Sequence, residues 1–283
     1  MVITVASGKG GAGKTAVATS LAYVMENSVY VDMDAEEPNG HIILNPVIEK
    51  EEDFCLPVPS IDAAKCTLCG KCSESCRYGA IAVMARTKKT LFFRELCHSC
   101  GVCSRVCPEK AITEENAVKG KVRFGKTAAG HGFIDGILNV SEPSPTRMLS
   151  FINERIKKDY AGKNVVIDAP PGAACMAVEA VKGADFVIVV AEPTLFSLND
   201  AKILIELIRE MGKDFSIVIN KSGESDHIIT DYASGSGIGI SGKIPFSMKT
   251  GEGYSEGRPL IELGLEKEIE GIYCSIKKQA VKT

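Results

Sequence analysis

No run of apolar residues in this chain approaches the ~18 needed to cross a bilayer, so a membrane-spanning protein is not expected. The first residues lead directly into a strand pattern and leave no room for a signal peptide. Basic residues are not in excess: 33 Lys and Arg stand against 36 Asp and Glu, a formal net charge of −3. That balance lacks the broad positive field of a nucleic-acid binder, and no nucleic-acid partner is expected. The C-terminal half contains no C-x-x-C pair. The lack of a signal peptide and of a membrane span suggests a cytoplasmic chain, in which thiols stay reduced. Its 11 cysteines then argue for metal or redox chemistry rather than a disulfide framework. What is present in quantity is 45% hydrophobic residues over 283 positions, room for one large α/β domain and something small.

Val2–Ala6 is a short β-branched run that reads as a buried strand. G-K-G-G-A-G-K-T follows at 8–15, and a helical pattern follows that. Strand, loop and helix in this order are the context a phosphate-binding loop requires. Gly10, Gly11 and Gly13 let backbone N–H groups turn towards a phosphate chain without Cβ clashes. The expected nucleotide-binding stretch is Gly10, Gly11, Ala12, Gly13, Lys14, Thr15 and Ala16. Lys14 would place its ammonium on the β/γ-phosphates and Thr15 its hydroxyl on Mg²⁺, with further positive potential from the helix N-terminus. A second lysine, Lys9, is not needed for the loop to fold, and its position is therefore informative.

Ser28–Asp34 reads as a second strand ending in Asp32 and Asp34, and A-E-E-P-N-G at 35–40 breaks regular structure. In open parallel sheets ligands sit beyond the carboxyl ends of strands, which directs both acids to the phosphate site. Asp32 has two readings: a neighbour of the metal, or a strand-end residue bonding local backbone. Asn164–Asp168 is an apolar strand ending in aspartate before P-P-G; behind a phosphate loop, such an aspartate holds hydrated Mg²⁺.

Nine of the 11 cysteines lie between 55 and 125. Eight form two copies of one pattern: Cys66-x₂-Cys69-x₂-Cys72-x₃-Cys76 and, 31 residues later, Cys97-x₂-Cys100-x₂-Cys103-x₃-Cys107-Pro108. Closely spaced thiolates cap three corners of a cubane, and in this spacing the fourth cysteine belongs to the other cluster. The expected ligand sets are Cys66, Cys69, Cys72 and Cys107 for one [4Fe–4S] centre, and Cys97, Cys100, Cys103 and Cys76 for the second. Structural zinc would use two well-separated C-x₂-C pairs instead. Arg77 follows Cys76 where Pro108 follows Cys107, which is expected to loosen the turn without removing a ligand. Residues 80–95 read as a hairpin with T-K-K-T as its turn, Phe92 and Phe93 as core or cluster cover, and Cys55 and His98 as bystanders.

The loop resembles the deviant phosphate loop, K-G-G-x-x-K-[ST], of the MinD, ParA, Mrp and nitrogenase iron-protein group, and the cysteine repeat resembles a bacterial two-cluster ferredoxin domain. Nearly the whole chain is similar to MinD-superfamily P-loop ATPases containing an inserted ferredoxin domain. The resemblance implies ATP/ADP, Mg²⁺ and two [4Fe–4S] clusters as cofactors. It implies that Lys9 reaches across a nucleotide-dependent homodimer, that Asp34 lies near metal and attacking water in a first switch, and that Asp168–Gly172 forms a second switch. It carries Asn220 to the adenine and G-K-I-P-F at 242–246 to the base pocket. Lys9, Lys14, Asp34 and Asp168 become the expected catalytic set. In the nitrogenase iron protein a cysteine at the place of Cys175 ligates a shared cluster; a buried small hydrophobe is the preferred reading here.

The expected fold is a doubly wound, mostly parallel α/β sheet, with 1–54 and 126–283 as the P-loop ATPase domain and 55–125 as an inserted α+β ferredoxin-like domain. Further strands are expected at 132–140, 186–192 and 215–221, the last two continuous apolar runs suited to a sheet covered on both faces. One helix from Ser144 presents Met148, Leu149, Ile152 and Ile156 to the core, and another presents Ile203, Leu204, Leu207 and Ile208. Over 265–282, Leu265, Ile269, Ile272 and Ile276 align on a face suited to domain docking or, as in MinD, to a membrane surface. The expected function is ATP hydrolysis coupling dimer closure to electron transfer towards an unidentified protein partner. The alternatives are a carrier or maturation factor delivering iron–sulfur or metal cofactors to a client, and a switch in which ATP controls partner or membrane binding.

Overall fold

The computed structural model describes residues 1–280. The chain divides into two compact units: Met1–Glu51, Val122–Ile137 and Thr146 onward form the first, and Glu52–Lys121 with Leu138–Pro145 the second. From the N-terminus run β1 (Val2–Ala6), α1 (Lys14–Val24), β2 (Ser28–Asp32), α2 (Gly40–Leu44) and β3 (Val47–Ile61). The cysteine-rich stretch follows with α3 (Lys71–Glu74), β4 (Ile81–Met84), β5 (Lys89–Phe92), α4 (Val102–Val106) and β6 (Ile112–Lys126). Then come β7 (Gly132–Leu138), α5 (Pro145–Asp159), β8 (Asn164–Asp168), α6 (Cys175–Lys182), β9 (Phe186–Ala191), α7 (Leu195–Glu210) and β10 (Phe215–Ser222). The chain continues through α8 (His227–Gly235), β11 (Ile240–Pro245), α9 (Met248–Ser255) and α10 (Glu266–Ala280).

The large sheet has nine strands in the order β11-β10-β9-β1-β8-β2-β7-β6-β3. β1 pairs parallel with β8 and β9, β2 with β7 and β8, and β10 with β9 and β11. Every residue of β2 and β9 is buried, because a parallel sheet covered by helices on both faces has no solvent side to reward alternation. Ile3, Val5, Leu21, Tyr30, Phe133 and Ile188 meet in the main core. The parallel arrangement brings the loops after β1, β2, β8, β9, β10 and β11 to one edge, where open α/β sheets bind ligands.

Met148, Leu149, Ile152 and Ile156 of α5 are all buried, as their spacing predicts. In α7 the buried stripe is instead Leu198, Ala201, Leu204, Ile205 and Ile208. Ile203 falls off that stripe and is exposed, correcting the expected face by one position. α10 turns Ile269, Ile272, Tyr273 and Ile276 inward, and packs on β11 and α1. The apolar face that a membrane would take is thus occupied by the core; Val281 and Lys282 of that stretch lie outside the described residues. No helix among the described residues is long and apolar enough to cross a membrane.

In the second unit β4 and β5 pair antiparallel with Met84 opposite Lys89. The turn therefore occupies 85–88, two residues before T-K-K-T; Lys88 takes the left-handed conformation (φ 50°), and Thr90 is already paired with Val83. Backbone conformation repeats along with the sequence. Positive φ recurs at Leu68 and Ser99 (60° and 52°), Gly70 and Gly101 (82° and 72°), and Gly79 and Lys110 (65° and 48°), each pair 31 residues apart. The N–H groups of Gly79 and Lys110 each donate at 3.2 Å to the carbonyls of Cys76 and Cys107. Arg77 therefore does not loosen its turn, since the closing bond needs only the cysteine carbonyl and a residue that accepts positive φ.

β3 and β6, fifteen residues each, are strands the sequence pattern does not announce. Their hydropathy is masked by charge. On β6, Arg123 is paired with fully buried Asp135, and nearly inaccessible Lys119 with Glu142 at 2.7 Å.

Candidate functional site: a phosphate loop and two thiol-lined cavities

α1 begins at Lys14 directly after Gly13, which sits in the left-handed region at φ 89° and offers no side-chain cap. The first-turn N–H groups thus meet no capping side chain, and such an end attracts an anion. A Cβ on Gly13 would come within 2.0 Å of Asn220 Nδ2, whereas at Gly10 and Gly11 it would meet nothing within 4 Å. One side of the loop is packed and the other is open. Gly13→Ala should lower stability by about 1–3 kcal/mol through strain at positive φ, read as a shift in the urea midpoint at constant m.

Lys14 Nζ lies 2.6 Å from Asp168 Oδ1 and 3.5 Å from Thr15 Oγ1. Asp168 Oδ2 accepts the hydroxyl of buried Tyr30 at 2.9 Å, and that hydroxyl is also 3.4 Å from Asp32 Oδ2. Asp32 accepts backbone N–H groups from Asp34 (3.0 Å), Asn39 (3.1 Å) and Gly40 (2.9 Å). Of its two readings the geometry therefore favours local backbone bonding: Asp32 gathers the loop that carries Asp34. Asp34 is half-buried and accepts the Glu37 N–H at 3.4 Å; burial raises its pKa, against the pull of Lys14. Burial and the Asp168 charge push Asp32 up to about 7, although the Gly40 and Asp34 N–H groups and Lys14 act the other way.

Tyr30 is the residue that sequence reasoning missed. Its signal is a tyrosine in a fully buried strand, because a buried hydroxyl needs a partner. Gly40 has no side chain for the same reason, since a Cβ there would lie 2.2 Å from the Tyr30 oxygen. The raised Asp32 pKa has a consequence for stability. A carboxyl that holds its proton more tightly folded than unfolded stabilises the fold below its ordinary pKa of 3.8, and this contribution is lost as pH rises through about 7. Relative to wild type, Asp32→Asn should therefore gain in Tm as pH rises from about 4 to about 7. A difference independent of pH would contradict this.

Lys9 Nζ is held 2.9 Å from Glu192 Oε2, and Lys221 pairs with Glu192 Oε1. Asn220 is buried and donates its amide to the Ala12 carbonyl at 2.8 Å, tying the end of β10 to the phosphate loop. Beside it opens a pocket lined by Gly13, Ala16, Asn220, Ile244, Pro245, Phe246 and Tyr254 among others. Its mostly apolar wall suits a flat heterocycle.

In the second unit two cavities divide the eight repeated thiols. Cys66, Cys69, Cys72 and Cys107 line one; Cys76, Cys97, Cys100 and Cys103 line the other. No group of three or more His, Cys, Asp or Glu is placed to hold a single metal ion among the described residues. Four thiols around an open space suit a polynuclear group, whereas zinc at ~2.3 Å from each sulfur draws them together. Burial pushes the Cys103 thiol up to about 11 and that of Cys72 upward. A thiolate at either position would need a nearby positive charge to offset the cost of burial. The N–H groups of Ala80 and Ala111 aim at Cys76 and Cys107 Sγ, both at 3.3 Å.

Three expectations change here. His98 is no bystander: its ring stacks on Tyr78 with centroids 3.6 Å apart, and both line the second cavity. Phe92 lines that cavity, while Phe93 is exposed and lines neither cavity. Cys175 is exposed as the first residue of α6, so it is not a buried hydrophobe. Cys55 is an exposed free thiol outside both cavities.

The family model of the CobQ/CobB/MinD/ParA nucleotide-binding domain matches residues 3–260. The chain belongs to this family. The matched span includes the cysteine-rich stretch, and the first unit has the MinD-like α/β fold. An uncharacterised protein of Methanocaldococcus jannaschii is 29% identical over 274 residues, covering 93% of this chain and 92% of that one. A ferredoxin of Pyrobaculum islandicum is 38% identical over 74 residues, 24% of this chain and 68% of the ferredoxin. Among solved structures, the MinD protein complexed with Mg-ADP from Pyrococcus horikoshii superposes with a TM-score of 0.59 at 16% identity, over 99% of this chain and 96% of that one. At that identity the likeness speaks for the fold alone.

Proposed function

We propose that this chain is a MgATP-hydrolysing iron–sulfur protein in which nucleotide-driven pairing of two copies controls electron transfer through two [4Fe–4S] clusters. The observation that carries the reading is the four-and-four division of thiols around two cavities, within a nucleotide-binding family member. The ferredoxin likeness supports it. In this reading 55–125 is the inserted cluster domain, and 1–54 with 126–283 is the ATPase domain.

Bound MgATP would supply the γ-phosphoryl group, and the clusters one-electron carriers. The chain's own residues bind and orient. Lys14 and the uncapped α1 N-terminus hold phosphate; Thr15 and Asp168 hold the metal; Asp34 orients water; Asn220 and the adjoining cavity take the base. Lys9 completes the site of a second copy. The loop from Asp34 runs on through α2 into β3, so the first switch is covalently continuous with the cysteine-rich unit. Each cavity offers four thiols, a full ligand set, and this favours retained electron carriers over clusters held for donation.

Anaerobically prepared protein should contain about eight iron and eight sulfide per chain, and should hydrolyse ATP with Mg²⁺ present. One zinc per cavity, or iron without nucleotide binding, would overturn the reading.

A further inference from the structure

Glu192 lies just beyond β9 in a tightly specified turn. Its N–H donates to Ser197 Oγ at 2.9 Å, its carbonyl accepts the Thr194 N–H at 2.8 Å, and Thr194 caps α7 by accepting the Ser197 N–H at 3.2 Å. The side chain leaves this fixed point 8% exposed and takes one lysine on each oxygen: Lys9 at 2.9 Å and Lys221. Lys221 is itself in the left-handed region at φ 55°, and its ammonium lies 3.4 Å from the Gly11 carbonyl. Burial raises the Glu192 carboxyl, but its bonds to Lys221 and Lys9 outweigh burial and leave it below the ordinary range.

We infer that Glu192 is a latch that ties Lys9 back to its own chain and so sets the threshold for pairing with a second copy. The inference rests on the reading above, in which Lys9 acts across a dimer. Lys9 cannot both stay on Glu192 and reach a second copy's phosphates, so pairing must break this bond. Breaking it does not orphan a carboxylate, because Lys221 remains on the other oxygen. A lone ion pair of this burial would resist opening far more, since the abandoned charge would have no partner. The second lysine thus makes the latch releasable. Glu192 is a positioning residue that acts through Lys9 and touches no nucleotide itself.

The test has two readouts. Lys9 reactivity towards an amine-acylating reagent, followed by mass spectrometry in nucleotide-free protein, reports the latch without any dimer. Sedimentation velocity with a non-hydrolysable MgATP analogue reports pairing. Glu192→Gln should raise Lys9 acylation about threefold, and the dimer association constant about tenfold because two latches open per symmetric pair. MgADP affinity should stay unchanged, and Glu192→Gln combined with Lys9→Ala should lose the gain. Should Glu192→Gln fold poorly, Glu192→Asp, which keeps the charge on a shorter arm, should move both readouts in the same direction. Unchanged Lys9 reactivity in a folded variant overturns the latch. Raised reactivity with wild type and variant both monomeric also overturns the inference, and places the failure in the dimer reading rather than in the ion pair.

Discussion

Lys14→Ala is expected to weaken MgATP binding by roughly 100-fold or more, about 3 kcal/mol of charge-assisted phosphate contact. ATPase activity should be lost in step. The same substitution should also destabilise the nucleotide-free protein, because Lys14 is the cation within hydrogen-bonding distance of Asp168, which is 1% exposed beside Asp32. Leaving a buried carboxylate without its partner costs about 3–5 kcal/mol where the charge is retained. Urea unfolding separates the two effects, since Lys14→Met combined with Asp168→Asn removes both charges and should recover much of the stability but none of the nucleotide binding. The iron content should match wild type in every one of these variants. Loss of iron with Lys14 would contradict separate roles for the two units.

Single cysteine substitutions should each remove about half the iron, and the pattern of losses should cross between the repeats. Cys107→Ser is expected to deplete the same centre as Cys69→Ser, and Cys76→Ser the same centre as Cys100→Ser, following the cavity each thiol lines. Combining Cys69→Ser with Cys107→Ser should then cost no more iron than either alone. Combining Cys69→Ser with Cys76→Ser should cost nearly all of it. Iron analysis with Mössbauer or EPR spin counting decides the matter. Losses that follow sequence neighbours, so that Cys69 and Cys76 behave as one set, would contradict the crossed assignment.

Much of this site is visible in the sequence because glycine and cysteine spacing encode backbone geometry directly. The phosphate loop needs Gly11 and Gly13 where φ is positive, and the cysteine repeat carries its 31-residue period into the φ angles. Strands β2, β8, β9 and β10 declare themselves because a sheet buried on both faces requires unbroken apolar runs. What stayed hidden depends on distant partners. β6 carries charges, Lys119 and Arg123, that Glu142 and Asp135 neutralise from other segments. Tyr30 gains its role only when Asp32 and Asp168 stand at its hydroxyl, and His98 only when Tyr78 lies under its ring. Ile203 was misplaced because one residue of helical phase decides which side of α7 faces the sheet. The hold of Glu192 on Lys9, 183 residues away, has no local signature at all.

The central claim is that nucleotide state and cluster environment are coupled through the chain. Its most direct test is an anaerobic, EPR-monitored redox titration of the wild-type protein without nucleotide, with MgADP and with a non-hydrolysable MgATP analogue. The account predicts that the MgATP analogue moves at least one cluster potential by about 60 mV or more, over about 1 kcal/mol of coupling per electron. Lys14→Ala should abolish the shift. Superimposable titrations in all three conditions, from protein that binds nucleotide and holds both clusters, would contradict it.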